Sequence, residues 1–149
     1  MPPALEITRR PFICEDMHAE LPLVRMEGIS HIIIESASCF FDLVNQKESA
    51  VQAVKNWCAE LSADGLGLMF LDALRDGGYR LTPLVYVPGS GTVFWENSCA
   101  SGSAAAAMYL AEKTGRRAFF SLTEPGGVLS ADCDPAAGRT LLHGNVRLL

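Results

Sequence analysis

The feature that most constrains the fold is the passage from a β-branched and aromatic run into an alanine-rich segment. Residues 92–96 form the run, Asn97-Ser98-Cys99 follow as a turn, and residues 104–111 are apolar nearly all round. A helix without a polar face must be buried on most sides. The sequence therefore predicts a strand, a tight turn and a buried helix, with the thiol of Cys99 at the turn.

Cys99 stands where the chemistry of a helix start applies. The first backbone N–H groups of a helix have no partner inside it, and the macrodipole adds partial positive charge there. This field is expected to lower the pKa of Cys99 and favour the thiolate. The small residues Ala100, Ser101 and Gly102 would let a substrate carboxylate approach the N–H groups. One turn could thus hold a base and a carboxylate site, although a buried structural cysteine is the alternative.

Short strands and one more helix account for the remaining pattern. Strands are predicted at residues 5–8 as an edge strand, 23–34 with a break at Gly28, 66–71, 79–87, 92–96, 117–122, 127–132 and 140–148. An amphipathic helix over residues 46–61 would bury Val51, Val54, Cys58 and Leu61 on one face. Pro83 favours an edge or a bulge, and the isoleucines 32–34 favour burial on both faces. Many short strands around one hydrophobic helix indicate an α+β architecture.

Composition excludes several classes of protein. The chain has 149 residues, one domain's worth, with 49% apolar and 19% charged residues, so it is not disordered. A net charge of -5 without a basic cluster argues against nucleic-acid binding. The apolar runs are too short for a bilayer and no secretion signal is visible, so a cytoplasmic protein is expected. Five cysteines and three dispersed histidines without ligand spacing indicate reduced thiols and no metal site.

A family resemblance rests on the central motif and three flanking segments. The motif Glu-Asn-Ser-Cys-Ala-Ser-Gly-Ser-Ala-Ala-Ala-Ala, residues 96–107, resembles the second catalytic-cysteine motif of diaminopimelate epimerases and related cofactor-independent amino-acid racemases. Residues 28–33 resemble the family's segment with an active-site histidine, residues 124–129 its glycine-pair hairpin, and residues 142–146 its closing strand. The resemblance runs from about Val24 onward and covers the second half of the family's architecture.

The resemblance implies a fold and a mechanism. Family members have two similar halves, each a mixed, mostly antiparallel sheet wrapped around a central helix, with the active site between the halves. Residues 1–149 would form a single domain equivalent to the C-terminal half. A cysteine from each half acts on opposite faces of the α-carbon without a cofactor, because inversion through a carbanion needs a base on one face and an acid on the other.

Site roles follow from the resemblance position by position. Cys99 would be one of the two acid/base thiols, and the N–H groups of Ala100, Ser101 and Gly102 would bind the substrate carboxylate. Glu96 would hold the α-ammonium group or orient the thiol, and His31 would lie beside Glu96. Asn97 is also expected among the substrate-binding residues. No metal is implied.

Departures from the family pattern bear on the substrate. Ile29, Gly65 or Gly67, and Asn97 stand where diaminopimelate epimerases usually have two asparagines and an arginine that hold the distal charged groups. Those groups would lack partners here, which argues against diaminopimelate. The short turn at residues 95–99 is similar to that of histidine racemases of opine-type metallophore synthesis. A small amino acid such as histidine is therefore the expected substrate.

The chain offers one credible base. No second Cys-x-[Ser/Thr]-Gly occurs, and neither Cys14 nor Cys39 precedes a glycine-rich helix start. The second base is expected from another chain, either a second copy in a homodimer or a separate polypeptide with the N-terminal half. Three alternatives stay open: a relic or fragment, a non-catalytic half-domain that binds a carboxylate ligand, and a relative of phenazine-type isomerases with Glu96 as the base.

Overall fold

The residues that the structure describes form one mixed sheet with two helices. The structure, a computed structural model, describes residues 6–14, 17–35, 47–75, 77–96, 99–134 and 139–146. Within these ranges the elements are β1 (Glu6–Cys14), β2 (Met17–Arg25), β3 (Ser30–Glu35), α1 (Lys47–Leu61), β4 (Leu66–Ala73), β5 (Tyr79–Val87), β6 (Thr92–Trp95), α2 (Ala100–Thr114), β7 (Ala118–Glu124), β8 (Gly127–Asp134) and β9 (Arg139–Val146). The α+β class is confirmed.

The sheet is mostly antiparallel. Its strands follow the order β1-β2-β3-β4-β5-β7-β8-β9, and β6 pairs with β5 beside this path. The pairs β3–β4 and β5–β7 are parallel, and the remaining pairs are antiparallel. The two parallel pairs belong to strands joined through α1 and α2, since a parallel connection needs a crossover of helical length. The predicted mixed, mostly antiparallel sheet is confirmed.

The two helices cover opposite faces of the central strands. Ile32 and Ile34 belong to the core cluster that contains α1, whereas Ile33 belongs to the cluster that contains α2. Strand side chains alternate between faces, so three consecutive isoleucines are buried only where both faces are covered. All three are at most 1% exposed, which confirms the prediction. In α2, every residue from Gly102 to Ala111 is buried, as its composition predicts.

Helix α1 differs from its prediction in the residues that it buries. Val54 and Cys58 are buried as expected, but Val51 and Leu61 are only half-buried. The face is completed by Ala50, Ala53 and Trp57. Trp57 packs against Phe12 of β1 at a ring distance of 5.0 Å and donates its indole N–H to the Ile13 carbonyl oxygen. Through Trp57, the buried face of α1 also contacts β1.

Two strand predictions needed correction. Strand β1 lies at the end of the sheet path as expected, but it is nine residues long because it pairs with β2 over its whole length. Strand β5 is not an edge strand, although it contains Pro83. It pairs with β4 on one side and with β6 and β7 on the other, and Pro83 lies between the stretches paired with β7 and β6. The proline therefore occupies a gap between two partner strands, where a missing N–H donor is tolerated. The predicted end of the last strand, residues 147–148, lies outside the described residues.

The ends of α2 agree with their sequence signals. Cys99 is the N-cap, with the extended backbone angles φ -139° and ψ 108°. Gly115 ends the helix in the left-handed conformation, φ 73°, and its N–H donates to the carbonyls of Ala111 and Glu112. No helix in the described ranges is long and apolar enough to span a membrane. The Cys99 thiol thus lies at the start of a helix whose middle part, from Gly102 to Ala111, is buried.

Candidate active site

The Cys99 side chain caps the helix that it begins. Its sulfur accepts a hydrogen bond from the Gly102 N–H at 3.3 Å and lies 3.6 Å from the Ser101 hydroxyl oxygen. Gly102 keeps this space open, because a Cβ at that position would meet the Cys99 sulfur at 3.1 Å and would force the Met69 side chain to move. The half-buried thiol is therefore held at the N-terminus of α2 by the backbone and a hydroxyl group.

The pKa of Cys99 shifts in the opposite direction from the expectation. Burial of the thiol raises its pKa, and this effect exceeds the lowering by hydrogen bonds from Ser101 and Gly102. The carboxyl groups of Glu124 and Glu96, wherever they are ionised, raise the pKa further. The predicted thiolate is thus wrong for this chain by itself. Cys99 is a protonated thiol at neutral pH, and can serve as a proton donor.

His31 reaches the start of α2 from β3. Its Nε2 atom lies 3.0 Å from the Ser101 hydroxyl oxygen, and its side chain is completely buried. Burial lowers the His31 pKa from 6.5 to about 4, so the imidazole is neutral at neutral pH. Gly67 makes room for the ring, since a Cβ there would collide with it. The sequence placed His31 beside Glu96, but its hydrogen-bond partner among the described residues is Ser101.

Glu124, at the end of β7, is a site residue that sequence reasoning missed. One carboxyl oxygen accepts from the Cys99 N–H at 3.3 Å, and the other lies 2.7 Å from the Ser103 hydroxyl oxygen. That hydroxyl is also 2.7 Å from the Cys99 carbonyl oxygen. The Glu124 side chain is 4% exposed, and burial raises its pKa more than these hydrogen bonds lower it. The sequence signal was a carboxylate immediately before the Pro125-Gly126 turn, but nothing in the sequence showed which helix it reaches.

Some of the backbone N–H groups at the start of α2 already have an acceptor within the protein. The Cys99 N–H is taken by Glu124 and the Gly102 N–H by the Cys99 sulfur. Among the described residues, the N–H groups of Ala100 and Ser101 have no acceptor, and Ala100 is exposed. Two adjacent N–H groups at a helix N-terminus can bind one carboxylate.

Glu96 and Asn97 are the remaining predicted site residues, and no hydrogen bond among the described residues joins Glu96 to the thiol. Glu96 is half-buried, donates its backbone N–H to the Pro83 carbonyl oxygen at 3.0 Å, and acts on Cys99 through its charge. Asn97 lies outside the described residues. No group of three or more His, Cys, Asp and Glu side chains in the described part of the chain is arranged to hold a metal ion.

Together the fold and the site define an α+β domain that presents a cysteine thiol and two open backbone donors at the start of a buried helix. Residues 1–148 match the family model described as the histidine racemase CntK N-terminal domain, and the chain belongs to this family. The model names an N-terminal domain, so the predicted equivalence to a C-terminal half is not confirmed.

Curated relatives carry the same description. Histidine racemases from two strains of Fusobacterium nucleatum subsp. nucleatum are 34% and 35% identical over 95 residues, which cover 61% of this chain and 32% of each relative. A histidine racemase from Staphylococcus aureus (strain Mu50) is 32% identical over 85 residues, 54% of this chain and 30% of the relative. The chain matches about a third of the length of these relatives.

Proposed function

We propose that this chain forms one half of a cofactor-independent amino-acid racemase with a diaminopimelate epimerase-like arrangement, and that Cys99 exchanges a proton with the substrate α-carbon. The observation that carries the proposal is the thiol at the N-cap of α2, next to the open N–H groups of Ala100 and Ser101. An α-carboxylate bound to these donors would lie beside the Cys99 sulfur, because Ala100 and Ser101 directly follow Cys99 in the chain. Backbone donors directed at the carboxylate stabilise the charge that develops on loss of the α-proton.

The protonation state of Cys99 assigns it a step in this reaction. Racemisation needs one group that removes the α-proton and another that returns a proton on the opposite face. The raised pKa makes Cys99 the acid in the resting state. For one direction of the reaction Cys99 would donate its proton to the carbanion, and the resulting thiolate would be the base of the reverse direction.

Histidine is the substrate that we propose. Three curated relatives are histidine racemases. The positions whose side chains were expected to bind the distal charged groups of diaminopimelate are Ile29, Gly65 or Gly67, and Asn97 in this chain. A neutral imidazole needs no counter-charge, unlike the distal ammonium and carboxylate of diaminopimelate. Glu96 would hold the α-ammonium group, since its carboxylate acts on the same turn.

The second base of the reaction would come from another chain. Cys58 and Cys133 belong to the two core clusters, away from the solvent that a substrate would enter from. A second copy of the chain or a separate polypeptide with the complementary half would supply the other thiol. A two-fold arrangement would place two helix starts on either side of one cleft.

Loss of the α-proton signal of L-histidine in D₂O tests the proposal. NMR follows the exchange and chiral chromatography follows inversion, for the wild type, Cys99→Ser and Cys58→Ser, with the mass in solution measured alongside. Cys58→Ser is the matched control because its hydroxyl can still donate to the Ala63 carbonyl oxygen, as the thiol does at 3.3 Å. Exchange that is lost only in Cys99→Ser supports the proposal, and exchange from a dimer identifies the second copy as the source of the other base. Exchange that survives Cys99→Ser would contradict it.

A chain without exchange activity needs a binding measurement. Histidine binding, followed by chemical-shift perturbation, that is the same in wild type and Cys99→Ser would indicate a non-catalytic half-domain that binds a carboxylate. The capping role and raised pKa of Cys99 favour this second candidate function. Activity lost in Glu96→Gln but kept in Cys99→Ser would instead indicate the isomerase type in which Glu96 is the base. A chain that shows neither histidine binding nor exchange would contradict the proposal that it forms one half of a racemase.

A further inference from the structure

The hydrogen bonds around Ser103 contain one acceptor too many for an ionised Glu124. Ser103 has a single hydroxyl hydrogen, yet its oxygen lies 2.7 Å from both the Cys99 carbonyl oxygen and a Glu124 carboxyl oxygen. These are the short distances of O–H···O hydrogen bonds. If Glu124 were a carboxylate, one of the two short contacts would join two acceptors without a hydrogen between them.

We infer that Glu124 carries a proton and is the positioning residue of the Cys99 turn. The neutral carboxyl group donates to the Ser103 hydroxyl oxygen, and that hydroxyl donates to the Cys99 carbonyl oxygen. The other Glu124 oxygen accepts from the Cys99 N–H. The carboxyl group thereby holds both the N–H and the carbonyl group of Cys99 in place. The inference rests on the proposed function in one respect, that Cys99 is the group that reacts.

Burial agrees with a neutral carboxyl group. The Glu124 side chain is 4% exposed, and desolvation raises its pKa against the effect of its hydrogen bonds. No cation is among the groups that act on it, and the titratable group that faces it from α2 is Cys99, with Glu96 acting on the same thiol. When Cys99 gives up its proton, a neutral Glu124 also does not oppose the thiolate, as a second carboxylate would.

Infrared spectroscopy detects the proton without any need for racemase activity. A protonated carboxylic acid has a C=O stretching band that carboxylates and amides lack, and the band shifts in D₂O. We expect this band in the wild type at pH 7, its loss in Glu124→Gln, and no change in Glu112→Gln, which replaces an exposed glutamate at the other end of α2. A wild-type spectrum without the band, or a band that persists in Glu124→Gln, would overturn the inference.

Alkylation of Cys99 at pH 7, quantified by peptide mass spectrometry, gives an independent readout of charge. Gln is isosteric with a neutral glutamic acid: its NH₂ donates and its carbonyl oxygen accepts in the same places. Cys99 in Glu124→Gln should therefore be alkylated at the wild-type rate. If Glu124 were ionised, its replacement would remove a negative charge, the thiol pKa would fall and the alkylation rate would rise.

Removal of the carboxyl group separates positioning from charge. In Glu124→Ala the Cys99 backbone groups lose their partners, and the kcat of α-proton exchange should fall by about 10- to 100-fold with a smaller change in KM. Glu124→Gln should keep kcat within about threefold. If neither variant folds, Ser103→Ala serves instead: it removes the acceptor of the Glu124 proton and should shift the infrared band. An unshifted band in that variant would refute the hydrogen bond. A wild type that shows neither exchange nor histidine binding would contradict the proposed function alone, because the infrared result does not depend on it.

Discussion

The Nε2 atom of His31 and the Oγ atom of Ser101 are 3.0 Å apart, across 70 residues of sequence. This bond joins the buried strand β3 to the first turn of α2. The same Ser101 oxygen lies 3.6 Å from the Cys99 sulfur. Ser101 therefore connects a neutral buried imidazole to the thiol, and changes at either end are expected to reach the other.

Replacement of Ser101 by alanine should affect both stability and the thiol. His31 Nδ1 is already buried without a partner among the described residues, so the loss of Ser101 would leave both ring nitrogens unsatisfied. A buried polar group without a partner costs about 1–3 kcal/mol. The Cys99 pKa should rise, because the Ser101 hydrogen bond lowers it. Urea denaturation and the pH dependence of Cys99 alkylation measure the two effects, with Ser90→Ala in the exposed 88–91 turn as the control. An alkylation profile equal to that of the wild type would contradict the link.

Gly67→Ala should destabilise the protein through overpacking beside His31. A Cβ at Gly67 would lie 2.8 Å from Cε1 of His31 and 2.8 Å from Cε of Met69, and both side chains are completely buried. Overpacking of a well-packed core costs about 1–3 kcal/mol. Gly89→Ala is the matched control, since a Cβ there meets nothing within 4 Å. Equal free energies of unfolding for the two variants, measured in urea, would show that the ring has room to move.

Cys99 should be replaceable by serine without loss of stability. Its sulfur accepts from the Gly102 N–H as an N-cap, and serine is among the preferred N-cap residues. Cys99→Ser should therefore unfold with a free energy within about 0.5 kcal/mol of the wild type, whereas Cys99→Ala should lose about 1 kcal/mol with the cap. Thermal and urea unfolding compare the pair. If Cys99→Ser is as stable as the wild type, a loss of α-proton exchange in this variant cannot be caused by unfolding.

The sequence predicted the elements that have strong local signals and left their pairing open. The thiol at a helix start, the stop at Gly115 and the doubly buried isoleucines all follow from local patterns, and the structure has them. Pro83 led to the wrong prediction because two positions tolerate a residue without a backbone N–H donor. One is an edge strand, and the other is a gap between two partner strands, where Pro83 lies. Local pattern cannot tell these two cases apart.

The partners within the site depend on tertiary contacts that no local pattern contains. The helix start predicts a lowered thiol pKa, but the burial of Cys99 reverses the direction of the shift. His31 was predicted as a site residue with Glu96 as its neighbour. The structure gives it a hydrogen bond to Ser101 in the first turn of α2, a partner 70 residues away in the sequence. The choice of neighbour is therefore a consequence of packing.

His31 should make stability depend on pH in the acidic range. Burial lowers its pKa to about 4 from 6.5, so between these values the unfolded chain binds a proton that the folded protein excludes. Stability therefore falls as the pH is lowered from about 6.5 to about 4, and a shift of this size corresponds to about 3 kcal/mol. His31→Gln does not titrate and should lack this contribution. The free energies of unfolding of wild type and His31→Gln, measured in urea, should differ by a constant amount above pH 7. At pH 4 the wild type should have lost roughly 3 kcal/mol of stability relative to His31→Gln. A difference independent of pH would mean that the imidazole is open to protons in the folded state.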